Sequence, residues 1–242
     1  MFNHLSVASA FSFKYGTTQP HDLVARAAQF GAPALAITDR DSLAGVIRFV
    51  QAAKDFGIAP IVGVNLALDN SRVTLLAQSG TGTDSGWRSL CRLMSALRPD
   101  RNPPTLHLEK IKTLSEYTSN LILLHGPDSQ IANLITKHRP DQALHEFNKY
   151  RPYFADSVIE CVSHLAPGDG PRSTGHAGRM LGFARDHDLP AVITNGVRML
   201  DSADGPIADI LDAARKLVPL HKRHVERANN EAYLKDNQQM RD

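Results

Sequence analysis

Five side chains of metal-ligating type, His4, Asp39, His125, Glu160 and His164, fall at or near the ends of short apolar runs. Imidazole and carboxylate groups together suit borderline and hard divalent ions, so these residues could form one mononuclear metal site. Arg40 and Arg198 occupy comparable positions. A guanidinium is shaped for bidentate anion contacts, which offers a second chemistry, the holding of a phosphate or a nucleic-acid end. The plainer alternative is that a lone His, Asp or Arg at a strand end is a hydrogen-bonded structural residue. His21, His107, His138, His145, His176 and His187 are scattered and show no ligand spacing.

The elements that must position these residues are clearest between Pro33 and Leu68. Ala34 to Ile37 is a short apolar run ending in Thr38-Asp39, the pattern of a parallel strand buried on both faces. Ser42 is placed to cap a following helix. Leu43, Val46, Ile47, Val50 and Ala53 or Lys54 recur at three- and four-residue steps and are expected on its inner face. Gly57 ends the helix, and Ile58 to Leu66 is a second apolar run. Strand, helix, strand in this length is a βαβ unit, whose polar strand ends, here Asp39-Arg40 and Asn65, form a rim.

Around that unit, His4 to Ala8 reads as a first strand and Ser9 to Thr18 as a turn-rich loop carrying Phe11, Phe13 and Tyr15. Helices are expected over Pro20–Phe30, Trp87–Leu97, Leu108–Glu116, Ser129–His138, Asp141–Tyr150 and His176–Asp186. Strands are expected over Arg72–Ala77, Leu121–Leu124, Ser157–Val162 and Ala191–Thr194. Pro206 to Val218 reads as an amphipathic helix with Ile207, Ile210, Leu211, Ala214, Leu217 and Val218 packed into the core. The loops at 79–86 and 98–105 are polar, the latter the expected site of nicking. Strands alternating with helices argue for a barrel or an open parallel sheet.

The chain has 242 residues, 42% hydrophobic and 21% charged, enough for a globular core. Its net charge is +2, from 27 basic and 25 acidic residues, so any nucleic-acid contact must be local. One such place is the stretch from Asp212 to Arg227, where Lys216, Lys222, Arg223 and Arg227 are candidate contacts to a DNA backbone, or a solvated helix end and linker. Cys91 and Cys161 lie in unrelated contexts, read as small buried residues, and fit a reducing cytoplasm. No apolar run is long enough to span a membrane, and the N-terminus lacks the features of a signal peptide. Neither GxGxxG nor GxxxxGK[ST] is present, which removes the two strongest phosphate-cradle signals.

Five segments, HLSVAS at 4–9, ALAITDRDS at 34–42, GIAPIVGVN at 57–65, LILLHG at 121–126 and AVITNGVRML at 191–200, resemble in order and spacing the PHP (polymerase and histidinol phosphatase) domain. The likeness is greatest to the PHP domain at the N-terminus of C-family bacterial DNA polymerases, the DNA polymerase III alpha subunit and its error-prone relatives. HLSVASAFSFKYG at 4–16 and LDAARKLVPLHKRHVERANNEAYLKDNQQM at 211–240 are similar to the error-prone branch. The resemblance implies an α/β fold, a distorted seven-stranded (βα) barrel over residues 1–220, with 221–242 a linker leading towards a polymerase palm that lies outside this sequence.

Active members of that family bind up to three divalent ions at the strand ends and hydrolyse phosphoesters. The motif H/D-x-H-x-H reads His4-Leu5-Ser6-Val7-Ala8 here; Thr-Asp-His reads Thr38-Asp39-Arg40; Gly-x-Glu reads Gly63-Val64-Asn65; Asn-Asp-x-His reads Asn195-Gly196-Val197-Arg198. The matched pocket, His4, Ser6, Ala8, Asp39, Arg40, Asn65, His125, Glu160, Asn195, Gly196 and Arg198, is therefore expected to hold no metal and no catalytic residue. Either arginine is a candidate ion partner for Asp39. The implied function is a non-catalytic scaffold in an error-prone DNA polymerase, packed on its palm and thumb, cytoplasmic, and meeting DNA through the parent enzyme. The alternatives are a metal-dependent phosphoesterase or 3′–5′ exonuclease using zinc or manganese, and a free-standing protein-interaction module.

Overall fold

A computed structural model describes residues 2–78, 85–97, 104–221 and 227–241. The elements, in order, are α1 (Pro20–Gln29), β1 (Ala34–Ile37), α2 (Val46–Asp55), β2 (Ala59–Leu68), β3 (Ser71–Ala77), α3 (Gly86–Ala96), β4 (Thr105–Leu106), α4 (Leu108–Thr113), α5 (Ser115–Thr118), β5 (Leu121–His125), α6 (Gln130–Thr136), α7 (Pro140–Tyr150), β6 (Asp156–Val162), α8 (Thr174–Asp186), β7 (Ala191–Thr194) and α9 (Gly205–Lys216). The fold is α/β with a seven-stranded sheet of order β1-β2-β3-β5-β6-β7 and β4 on β2. The chain divides into two compact units, Met1–Val62 with Asn195–Asp242, and Gly63–Thr194.

In the first unit, β1 pairs in parallel with the first half of β2, Ala34 opposite Ala59 through Ile37 opposite Val62. This is the expected βαβ unit. Gly57, at φ 70°, ends the connecting segment in a conformation that glycine adopts without steric cost. Helix α2 departs from expectation in two ways. It starts at Val46 after Gly45, and the Ser42 hydroxyl instead accepts the Ala44 N–H at 3.1 Å within the preceding turn. Its buried face is Val46, Phe49, Ala52 and Ala53, whereas Ile47 is 72% exposed and Val50 is also exposed.

Residues 4–8 were expected as a strand. They run extended beside β1, with Ala36 N–H donating to His4 O and Thr38 N–H to Val7 O. No regular ladder forms, because the Thr38 hydroxyl accepts the Val7 N–H at 2.8 Å that a ladder partner would need. Val7 bridges Val197 instead. Leu23 and Val24 of α1, Leu35, Ile37, Phe49, Val197 and Leu234 fill the core of this unit. Of the segment 221–242, expected as a linker, residues 227–241 are described. Within this unit Ala232 and Leu234 are buried, and Tyr233 bridges Met199.

Helix α9 was expected to bury Ile207, Ile210, Leu211, Ala214, Leu217 and Val218. It buries Gly205, Ala208, Asp212 and Ala213, and leaves Ile207, Ile210 and Leu217 exposed. Small residues let the helix approach closely on one side, which turns the bulkier apolar residues outward.

In the second unit the sheet is mixed rather than parallel. β3 is antiparallel to both β2 and β5, whereas β5-β6 and β6-β7 are parallel. The turn at Asp69-Asn70 dictates this, since so short a connection joins only antiparallel strands. Helices α3, α6 and α8 start on Ser85, Ser129 and Ser173, whose hydroxyls each accept a backbone N–H of the first turn. The core holds Ile131, Ile135, Phe147, Ile159, Cys161, Met180 and Phe183. Cys161 is buried as expected; Cys91 is only half-buried.

Candidate functional site

In the first unit, the residue after Thr38 is the centre of a tight hydrogen-bond cluster. The Asp39 carboxylate accepts Ser9 N–H at 2.6 Å, Ser9 Oγ–H at 2.9 Å and Ser12 Oγ–H at 2.8 Å. Burial pushes the Asp39 carboxyl above its ordinary value, against the lowering effect of the hydrogen bonds from Ser12 and Ser9. A side chain at Gly45 would put its Cβ 2.7 Å from Asp39 Oδ2, so the turn before α2 can close over the acid only as glycine.

Asp39 takes its donors from Ser9 and Ser12 rather than from an arginine. Arg198 reaches α9 instead. It makes a two-pronged pair with Asp212, at 3.0 and 3.1 Å, and donates twice to Tyr15 O. Both partners of the pair are buried. Asp212 also takes Arg215 at 2.9 Å and lies 3.7 Å from Arg227. Burial alone would raise the Asp212 carboxyl; hydrogen bonds from Arg198 and Arg215 outweigh it and hold the acid below its usual range. The Tyr15 ring lies 3.4 Å from the Arg40 guanidinium carbon and 4.1 Å from that of Arg198.

The other first-unit positions are backbone partners. His4 Nε2 lies 2.9 Å from Lys235 O, and burial lowers its pKa. Ser6 O accepts Val197 N–H, and Ala8 N–H donates to Val197 O. Asn195 donates to Glu231 O and Tyr233 O at 2.7 and 2.8 Å. Gly196 has φ 53°, a left-handed conformation that glycine adopts without steric cost.

In the second unit, Asn65 on β2 is held from three sides. Its amide oxygen accepts Arg72 Nε–H at 2.8 Å, and its amide nitrogen donates to Val73 O and Thr74 Oγ1. His125 ends β5 fully buried beside Phe147, and burial alone pulls its pKa down to about 3. Glu160 on β6 is buried and accepts Thr194 Oγ1–H at 2.7 Å. Its carboxylate lies against Gly126, where any Cβ would collide with Oε2. His164 is buried after β6. Among the described residues, no three His, Cys, Asp or Glu side chains gather as a metal-holding group.

Of the candidate DNA contacts, Lys222 and Arg223 lie outside the described residues. Lys216 ends α9. Arg227 is mostly buried, paired with Asp209 at 2.6 Å and donating to Gly205 O, so its guanidinium is committed within the unit. Sequence reasoning missed Ser9, Ser12, Tyr15, Arg72 and Asp212. The small residues Gly205, Ala208 and Ala213 flanking Asp212 were the available sign that its helix face packs inward. Also missed was a groove of about 520 Å³ in the second unit, where Asp69 accepts the Tyr150 hydroxyl at 2.8 Å and lies 2.9 Å from His107 Nδ1. Burial and the hydrogen bond to Asp69 raise the Tyr150 phenol far above its ordinary value.

The chain is similar in sequence and fold to known proteins. The chain is 34% identical to an error-prone DNA polymerase of Symbiobacterium thermophilum over 97% of its length, covering 23% of that protein. It is 31% identical to a DNA polymerase III subunit alpha of Buchnera aphidicola over its full length, covering 21% of that protein. The chain thus spans under a quarter of these relatives. Among solved structures, a two-domain protein from Bacteroides vulgatus, described as containing a predicted PHP-like metal-dependent phosphoesterase, matches 81% of the chain and 52% of its own with a TM-score of 0.50 at 12% identity. That likeness concerns the fold alone. The PHP domain family matches residues 4–164, and the chain belongs to it.

Proposed function

We propose that the chain is a non-catalytic PHP domain that acts as a structural scaffold within an error-prone DNA polymerase. One observation carries this reading. The side chains at the family's ligand positions are engaged with other protein groups, Arg198 with Asp212, Asn65 with Arg72, and Asp39 with Ser9 and Ser12. Losing even a supporting hydrogen bond costs a metal site about 10–100-fold in affinity, and here most of the ligands themselves are replaced. The exposed isoleucines of α9 supply an apolar face for the palm and thumb of the parent chain, through which DNA is met. The parent works in the cytoplasm. No helix among the described residues is long and apolar enough to cross a membrane.

A second reading, a metal-dependent phosphoesterase or 3′–5′ exonuclease, draws on one feature. His4 Nδ1 and His125 Nε2 are buried without a hydrogen-bond partner among the described residues. One experiment separates the two. The protein is dialysed against zinc or manganese, analysed for metal, and assayed on a 3′-labelled oligonucleotide. The scaffold reading expects metal far below one ion per chain and no product. One tightly held ion with nuclease activity, both lost in His4→Ala or Asp39→Ala, would put the phosphoesterase reading first.

A further inference from the structure

The loop from Ser9 to Thr18 is built to present aromatic rings. Asp39 grips both Ser9 and Ser12, and Ser12 O accepts Tyr15 N–H and Gly16 N–H. The loop is closed by Ala10 N–H donating to Thr18 O and Thr17 N–H donating to Arg198 O. Lys14 takes a left-handed backbone, φ 54°, and Gly16 packs so closely on Ser9 O that no side chain fits. A loop fixed this firmly still leaves Phe13 80% exposed.

Residues 11, 13 and 15 of the loop are aromatic, each with a cation near its ring, and the Tyr15 ring is already covered by Arg40 and Arg198. Arg48 lies 5.7 Å from the Phe11 centroid, Lys14 5.2 Å from Phe13, and Arg40 3.4 Å from Tyr15. Arg48 is exposed, and Lys14 and Arg40 are half-buried. The acids nearby are Asp39, which is buried in the serine cluster; Asp212, which is buried among arginines; and Asp41, which is half-buried. Positive charge therefore dominates around the rings.

We propose that Phe11 and Phe13, with Lys14, Arg40 and Arg48, form a contact surface for single-stranded nucleic acid. Bases stack on the aromatic faces and the cations meet the phosphates. An unpaired strand is the ligand that offers both a flat π face and an anion at each step, and such stacking tolerates any sequence. A duplex hides its base faces. An acidic peptide or a sulfated sugar offers the anion alone. The surface lies in the first unit and does not depend on the scaffold reading. A chain with no metal and no nuclease activity could still bind a strand here.

The test is fluorescence anisotropy of labelled oligothymidylate and oligouridylate with the 242-residue chain, beside Phe13→Ala and Arg48→Ala. Both substituted side chains are exposed, so thermal melting should leave each variant folded as the parent. Binding is expected with one or both oligonucleotides, the pair reporting which sugar is preferred. It should weaken about fivefold or more in Phe13→Ala. It should weaken about 20-fold between roughly 50 and 200 mM salt if three phosphates are neutralised. A Phe13→Trp variant reports stacking directly: its emission should be quenched by oligothymidylate and unchanged by heparin. The proposal is overturned if neither oligonucleotide binds, if Phe13→Ala binds as well as the parent, or if Trp emission responds to heparin and oligothymidylate alike, which would leave a polyanion patch only.

Discussion

Removing the Asp212 carboxylate would strand Arg198 in a buried place without its ion partner. Breaking a buried pair from one side costs about 3–5 kcal/mol, because the charge left behind has lost its water and its partner. Asp212→Ala should fall in that range in urea melts. Arg198→Met should cost less, since Asp212 keeps Arg215 at 2.9 Å and Arg227 nearby, and methionine refills part of the space. Equal losses in the two variants would mean that Arg198, not the acid, organises the cluster. The same logic places Asp39 apart from any ion pair. It is satisfied by neutral donors, so Asp39→Asn should perturb the loop at 9–18 without exposing a buried cation.

Helices α2 and α9 show what a periodic pattern leaves open. Each has apolar residues on two faces; α9 turns its smaller side chains inward, whereas α2 buries Phe49 beside Val46, Ala52 and Ala53. Ile207→Lys with Ile210→Lys should change stability by no more than about 0.5 kcal/mol each, as exposed positions do. Ala208→Leu, on the buried face of the same helix, should cost about 1–3 kcal/mol by overpacking. The reverse ranking in thermal melts would show that the exposed isoleucines are covered in solution. The βαβ segment was legible because Ala34 to Ile37, Gly57 and the second apolar run all point one way. The inner faces of α2 and α9 were not, because periodicity gives a stripe but not which of two stripes meets the core. The antiparallel β3 was signalled by the Asp69-Asn70 turn and obscured by the alternation of strands and helices around it. The partners of the strand-end residues were not legible, since Tyr15 and Arg198 are 183 positions apart and no local pattern links them.

Among the described residues, three imidazoles carry burial shifts that bear on the acid range. His4 in the first unit, and His125 and His176 in the second, are all lowered from 6.5, with burial the largest cause in each. An unfolded chain takes up protons at these residues as pH falls through about 6.5, while the folded chain does not. Their effect is therefore a loss of stability as pH falls from about 6.5 towards the folded values, about 3 for His125. For His125 the gap corresponds to an upper bound on the order of 5 kcal/mol. Asp212 acts later in the same direction: its stabilisation is present above 3.8 and is lost as pH falls through its lowered value. Asp39 acts the other way, since an acid raised by burial binds its proton more readily folded than unfolded. Three imidazoles against one carboxyl give acid destabilisation, visible as a melting temperature that falls steadily between pH 7 and pH 4.5. His125→Leu should flatten that slope, whatever it does to stability at neutral pH. A melting temperature independent of pH over this range, or a slope unchanged in His125→Leu, would mean that the imidazole can take up a proton inside the folded chain, and that the site at the end of β5 is open to water.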